Sequence, residues 1–132
     1  MEQIGKSLQC EIACAVHDYE SALKLGVRKP FAIDRYTSHE WIASHLNFSS
    51  DDLIAYLTER PEKVEEIFIK ALDNHGVPNP FIAEVEDGYT VGWFDGKRTQ
   101  QKWFADLLHA SADYVRLFWG MSRVHGRAIA DP

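Results

Sequence analysis

The chain has 132 residues and a mass of 15.1 kDa, the size of one compact domain. With 45% hydrophobic and 26% charged residues it holds enough apolar surface to fold alone, which excludes intrinsic disorder, and its formal charge of -6 disfavours general binding to a phosphate backbone. No apolar stretch approaches the ~20 residues that span a bilayer. The first residues, Met1 to Lys6, show no basic patch followed by an apolar core, so a cytoplasmic protein is expected.

From Ser7 to Leu25 the residues Leu8, Ile12, Ala15, Val16, Tyr19, Ala22 and Leu23 fall on one helical arc, with Gly26 as the stop. A loop follows to Tyr36. Thr37 and Glu40 have capping-box spacing ahead of a short second helix ending near Leu46. Asn47-Phe48-Ser49-Ser50 supplies a turn and a new cap, and the third helix runs from Asp51 to Glu59. Pro61 suits the first position of a fourth, in which Val64, Ile67, Phe68, Ala71 and Leu72 share a face before Gly76.

Beyond Pro80 the period shortens. Phe81–Glu86 and Tyr89–Phe94, joined by Asp87-Gly88 as a type I′ turn, predict a β-hairpin, closed by a second Asp-Gly at Asp95-Gly96. Thr99 is expected to cap a long last helix, Gln100 to Trp119, with Trp103 and Trp119 buried. Lys102, Asp106, His109, Asp113 and Arg116 form its solvated face, and Gly120 ends it. A lone hairpin is marginal, so its apolar face must pack on helices or gain a third strand, for which Arg28–Tyr36 is the best source. The expectation is one α+β domain over residues 1–132: four N-terminal helices, a hairpin with room for a third antiparallel strand, and a long C-terminal helix.

The chemistry-bearing residues are sparse in motifs. Cys10, Cys14 and His17 project from nearly one side of the first helix, but a closed zinc site needs a fourth ligand that no local motif supplies, so packing is the expected role and no cofactor is assigned. His39 and His45 are six apart, which breaks the zinc-protease spacing of four. No glycine-rich phosphate loop, Gly-x-Ser-x-Gly elbow or Cys-x-x-Cys is present, and no catalytic residue is assigned.

Residues 42–57, Ile42-Ala43-Ser44-His45-Leu46-Asn47-Phe48-Ser49 through Leu57, resemble a helix-turn-helix, with Ala43, Asn47, Ser49, Leu53 and Leu57 at suitable positions. The resemblance implies a DNA-binding regulator with Lys97, Arg98, Arg123 and Arg127 on phosphates. Yet Asp51 and Asp52 stand where a reading helix presents cationic or amide side chains.

Charge along the chain favours a different reading. Residues 1–47 carry a net -1, residues 48–96 a net -8 and residues 97–132 a net +3. The leading expectation is therefore a small non-enzymatic binding protein, an inhibitor or adaptor. Its Asp51, Asp52, Glu59, Glu62, Glu65 and Glu66, with Tyr56 as an aromatic anchor, dock a basic protein surface such as that of a nucleic-acid-binding protein or complex, so that the carboxylates mimic a nucleic acid. Small anti-defence proteins of phages and mobile elements are an analogy for that role. Neither a membrane nor direct nucleic-acid binding is expected, and the oligomeric state is left open.

Overall fold

The computed structural model describes residues 5–14, 46–73 and 78–129. Over them the chain forms helices α1 (Lys6–Cys14), α2 (Ser50–Thr58), α3 (Pro61–Asp73) and α4 (Leu107–Phe118). Strands β1 (Asn79–Val85), β2 (Gly88–Phe94), β3 (Arg98–Phe104) and β4 (Arg127–Ala128) form one antiparallel sheet in chain order, so the class is α+β. The second expected helix, the rest of the first one and the Arg28–Tyr36 segment lie outside the described residues. No described helix is long and apolar enough to cross a membrane.

Local chemistry explains the starts and stops. Ser49 caps α2 through a reciprocal box: its hydroxyl accepts from Asp52 N at 3.1 Å, and the Asp52 carboxylate accepts from Ser49 N at 2.8 Å. Pro61 opens α3 without wasting an N–H. At the end of α4, Gly120 has φ 74° and the chain closes a Schellman pair, Met121 N to Arg116 O at 2.8 Å and Gly120 N to Leu117 O at 3.1 Å.

Two expected elements change. The turn between β1 and β2 is Glu86-Asp87, because Val85 pairs with Gly88, and neither turn residue has a positive φ. Gly88 instead begins β2, where a Cβ would lie 2.4 Å from the Phe104 carbonyl oxygen. The larger change concerns the last helix. Residues 98–104, expected as its first turns, are strand β3, and Asp106 rather than Thr99 caps α4. The third strand thus follows the hairpin directly, and the fourth comes from the tail.

Strand β3 carries a bulge. Val91 pairs with Lys102 but Trp93 pairs with Thr99, so Gln100 and Gln101 oppose Gly92, and Gln100 takes φ 54°. A Cβ on Gly92 would stand 2.7 Å from the Thr99 carbonyl oxygen and 2.9 Å from the Phe81 ring. Gly92→Ala is expected to cost about 1–3 kcal/mol. Urea denaturation checks it, and an unchanged midpoint would show that Phe81 and the bulge move aside without penalty.

Helix α4 is the centre of the packing. Residues 110–116 are buried in an unbroken run, because the sheet covers one side of the helix while α1, α2 and α3 cover the other. The buried hydrophobic side chains form one cluster that includes Ile12, Leu53, Leu57, Ile67, Val91, Tyr114 and Trp119. The run also swallows two charged residues. Asp113 is 0% and Arg116 6% exposed, which corrects the expectation of a solvated face for these two: with protein on both sides, the stretch 110–116 has no such face, while Asp106 and His109 at the start of the helix remain open to water. Asp113 pairs with Arg123 from the tail, which donates to both carboxylate oxygens, and Val124 N donates to Asp113 Oδ1 at 3.0 Å. Arg123 reaches on to the Val91 carbonyl and the Gln100 carbonyl at the bulge.

Candidate functional site

Helix α3 sorts its side chains by hydropathy. Val64, Ile67 and Ala71 are buried, while Glu62, Glu65, Glu66, Ile69, Leu72 and Asp73 are exposed. At about 100° per residue those six exposed positions occupy one arc of roughly 120°. Ile69 and Leu72 are 58% and 51% exposed, the large apolar side chains most open to water among the described residues. The outer face of α3 thus carries carboxylates around an apolar pair. Lys63 pairs with Glu66 at 3.4 Å, whereas Glu62 and Glu65 have no ion pair among the described residues.

The other expected site residues belong to α2 and divide between two places. Asp51 is exposed beside the α2 cap. Asp52, Tyr56 and Glu59 instead line a cleft of about 220 Å³ between α1 and α2, together with Lys6, Cys10 and Arg60. Cations partly balance the acids there. Arg60 lies 3.6 Å from Glu59, sits 4.0 Å over the Tyr56 ring and donates to the Tyr56 carbonyl at 3.1 Å. Tyr56 is 7% exposed. Burial pushes its phenol up to about 12. The Ser49 backbone N–H holds the Asp52 carboxyl below its ordinary range.

Cys10 and Cys14 are 1% and 5% exposed, so α1 is covered on the side they face. Burial raises the Cys10 thiol to about 11 and Cys14 further still, which disfavours the thiolate that metal binding or redox chemistry needs. His17 lies outside the described residues, among which no three His, Cys, Asp or Glu side chains are grouped to hold a metal.

A second cleft, of about 250 Å³, was not legible in the sequence. It is lined by Trp103, Asp106, His109, His125 and Arg127, among others. His109 pairs through Nδ1 with Asp106 at 2.8 Å. Asp106 is raised by its partial burial but more strongly lowered by the His109 backbone N–H and ring, so its carboxyl is held below the ordinary range. The signal available was the three-residue spacing of a cap and its N3 residue. Arg127 lies 4.4 Å over Trp103, which is half-buried on β3 instead of deep in a helix, and Trp103 Nε1 donates to Asp87 at 3.1 Å.

Compared with known proteins, the chain matches no family model, and neither a curated protein nor a solved structure is significantly similar to it. The functional reading therefore rests on the chain's own residues. Of the cations expected on phosphates under the helix-turn-helix reading, Arg123 is committed to Asp113, a correction that follows from the burial of that pair. Arg98 lies 4.7 Å over the Phe81 ring. The capped start of α2 is present, and the helix that would precede it lies outside the described residues.

Proposed function

We propose that the protein is a non-enzymatic inhibitor or adaptor that docks a basic protein surface through the outer face of α3, with Asp51, Asp52 and Glu59 of the neighbouring α2 adding negative charge; Tyr56, 7% exposed beneath Arg60, is too buried to be the aromatic anchor expected of it. One observation carries the reading: Glu62, Glu65 and Glu66 share an exposed arc with Ile69 and Leu72. Such an arrangement suits a partner whose Lys and Arg side chains surround an apolar contact. The apolar pair supplies area to bury, and the carboxylates speed encounter and set orientation. A nucleic-acid-binding protein offers that kind of surface, and the carboxylates would stand in for phosphates.

Charge reversal tests the reading. The triple variant Glu62→Lys, Glu65→Lys, Glu66→Lys is expected to weaken capture of a basic partner from a native lysate by at least about tenfold and to flatten its salt dependence. The lone Lys63–Glu66 pair on a water-facing helix carries little stability, so folding is expected to survive. Equal capture of the same protein by both forms would overturn the proposal. The alternative, a helix-turn-helix DNA-binding regulator, retains the capped start of α2 and predicts a mobility shift of duplex DNA at low salt.

A further inference from the structure

The turn at Leu46–Ser49 and the tail after α4 face each other across a cleft of about 350 Å³, lined by Asn47, Phe48, Arg116, Met121 and Ser122, among others. Its floor is a cation. Arg116 is 6% exposed, donates from Nε to the Ser122 carbonyl and from Nη1 to the Phe48 carbonyl at 3.0 Å, and stands 5.4 Å from the Phe48 ring centre. Both acceptors are neutral. No carboxylate among the described residues lies within 4.0 Å of the guanidinium. Among the described residues Nη2 has no acceptor, and Arg116 lines the cleft.

Buried arginines are ordinarily paired, because removing a full charge from water is costly. Among the described residues, Asp113 and Asp52 are carboxylates that act on Arg116 from a distance. The first is held by Arg123 and Val124 N, the second by the Ser49 backbone. A second cation flanks the cleft: Lys6 Nζ donates to the Asn47 carbonyl at 3.2 Å and to Asn47 Oδ1 at 2.9 Å, again neutral acceptors. With Oδ1 so occupied, Asn47 is left with its Nδ2 donors. In a chain of net charge -6, this corner has two cations beside it, and the described residues that line the cleft include no carboxylate.

We propose that the cleft binds a small polar molecule bearing an oxyanion, a phosphate or a carboxylate, which accepts from Arg116 Nη2 with the Asn47 amide beside it. A planar guanidinium fixed by two backbone carbonyls is pre-set for such an acceptor. The volume lies at the small end of ligand sites, about 300–1,000 Å³. The site does not depend on the acidic face of α3, so either proposal can fail without the other.

The test is a titration of the whole ¹⁵N-labelled chain with inorganic phosphate and, separately, with succinate, at constant ionic strength set by chloride. Saturable shifts of the Arg116 Nε–H and Asn47 amide signals are expected with one or both anions, and the one that saturates at lower concentration identifies the ligand class. Removing Arg116 would also remove its bonds to Phe48 and Ser122, so the informative variant is Asn47→Asp. It places a carboxylate at an exposed position beside Arg116 while keeping the backbone bond from residue 47 N to Gln9 Oε1 at 2.7 Å. Asn47→Asp is expected to weaken binding by at least about tenfold with an unchanged denaturation midpoint. Linear drifts matching those of chloride, or equal affinity in the variant, would overturn the proposal.

Discussion

Replacing Asp113 with alanine is expected to destabilise the protein by about 3–5 kcal/mol, a large share of the roughly 5–15 kcal/mol that holds a domain together. The carboxylate is 0% exposed and the Arg123 side chain 14% exposed. Removing the acid leaves a cation with only the Val91 and Gln100 carbonyls, and leaves Val124 N without its acceptor. The cost comes from that uncompensated charge more than from any net gain of the pair over an apolar core. The double variant Asp113→Ala, Arg123→Ala should therefore cost less than the sum of the single variants. Guanidinium denaturation of the four proteins measures the coupling, and additive losses would show that the pair does not act as a clamp.

Trp119→Ala is expected to be as damaging, at about 3–5 kcal/mol. The indole is 0% exposed, meets the Phe118 ring edge-on at 4.6 Å, and donates from Nε1 to the Ala13 carbonyl at 2.7 Å. That last bond joins α1 to the end of α4. Trp119→Phe keeps most of the ring but leaves a buried carbonyl without this donor, and should cost about 1–3 kcal/mol. The difference between the two variants separates volume from hydrogen bonding. If Trp119→Phe were neutral, water or a local shift would be satisfying Ala13.

How much of this was readable in the sequence depended on the reach of each interaction. The Ser49 cap, the start of α3 at Pro61, the burial of Val64, Ile67 and Ala71 and the Gly120 stop are set by neighbours within four residues and stand where the pattern puts them, whereas Leu72, expected on that same face, is 51% exposed. Strand β3 was hidden for a physical reason. Trp103, Phe104, Leu107 and Leu108 repeat at helical spacing although they straddle the β3–α4 junction, and the bulge at Gln100 breaks the two-residue alternation that would have marked a strand. The exposure of Glu62, Glu65 and Glu66 followed from the periodicity of α3, but that of Leu72 did not. Nor did the pairing of Asp113 with Arg123, because the tail has no period of its own and is ordered by contacts with α4 and the sheet. The Arg116 cleft was equally hidden, since its walls come from residues about 70 positions apart that only the fold unites.

The clamp between α4 and the tail also bears on how the chain comes to be made. Translation delivers Asp113 ten residues ahead of Arg123. Until the arginine has left the ribosome, closing α4 between the sheet and the other helices would bury a carboxylate that has no counter-charge. Stable closure of α4 must therefore wait for residues 123 and 124, although the helix itself is complete several residues earlier.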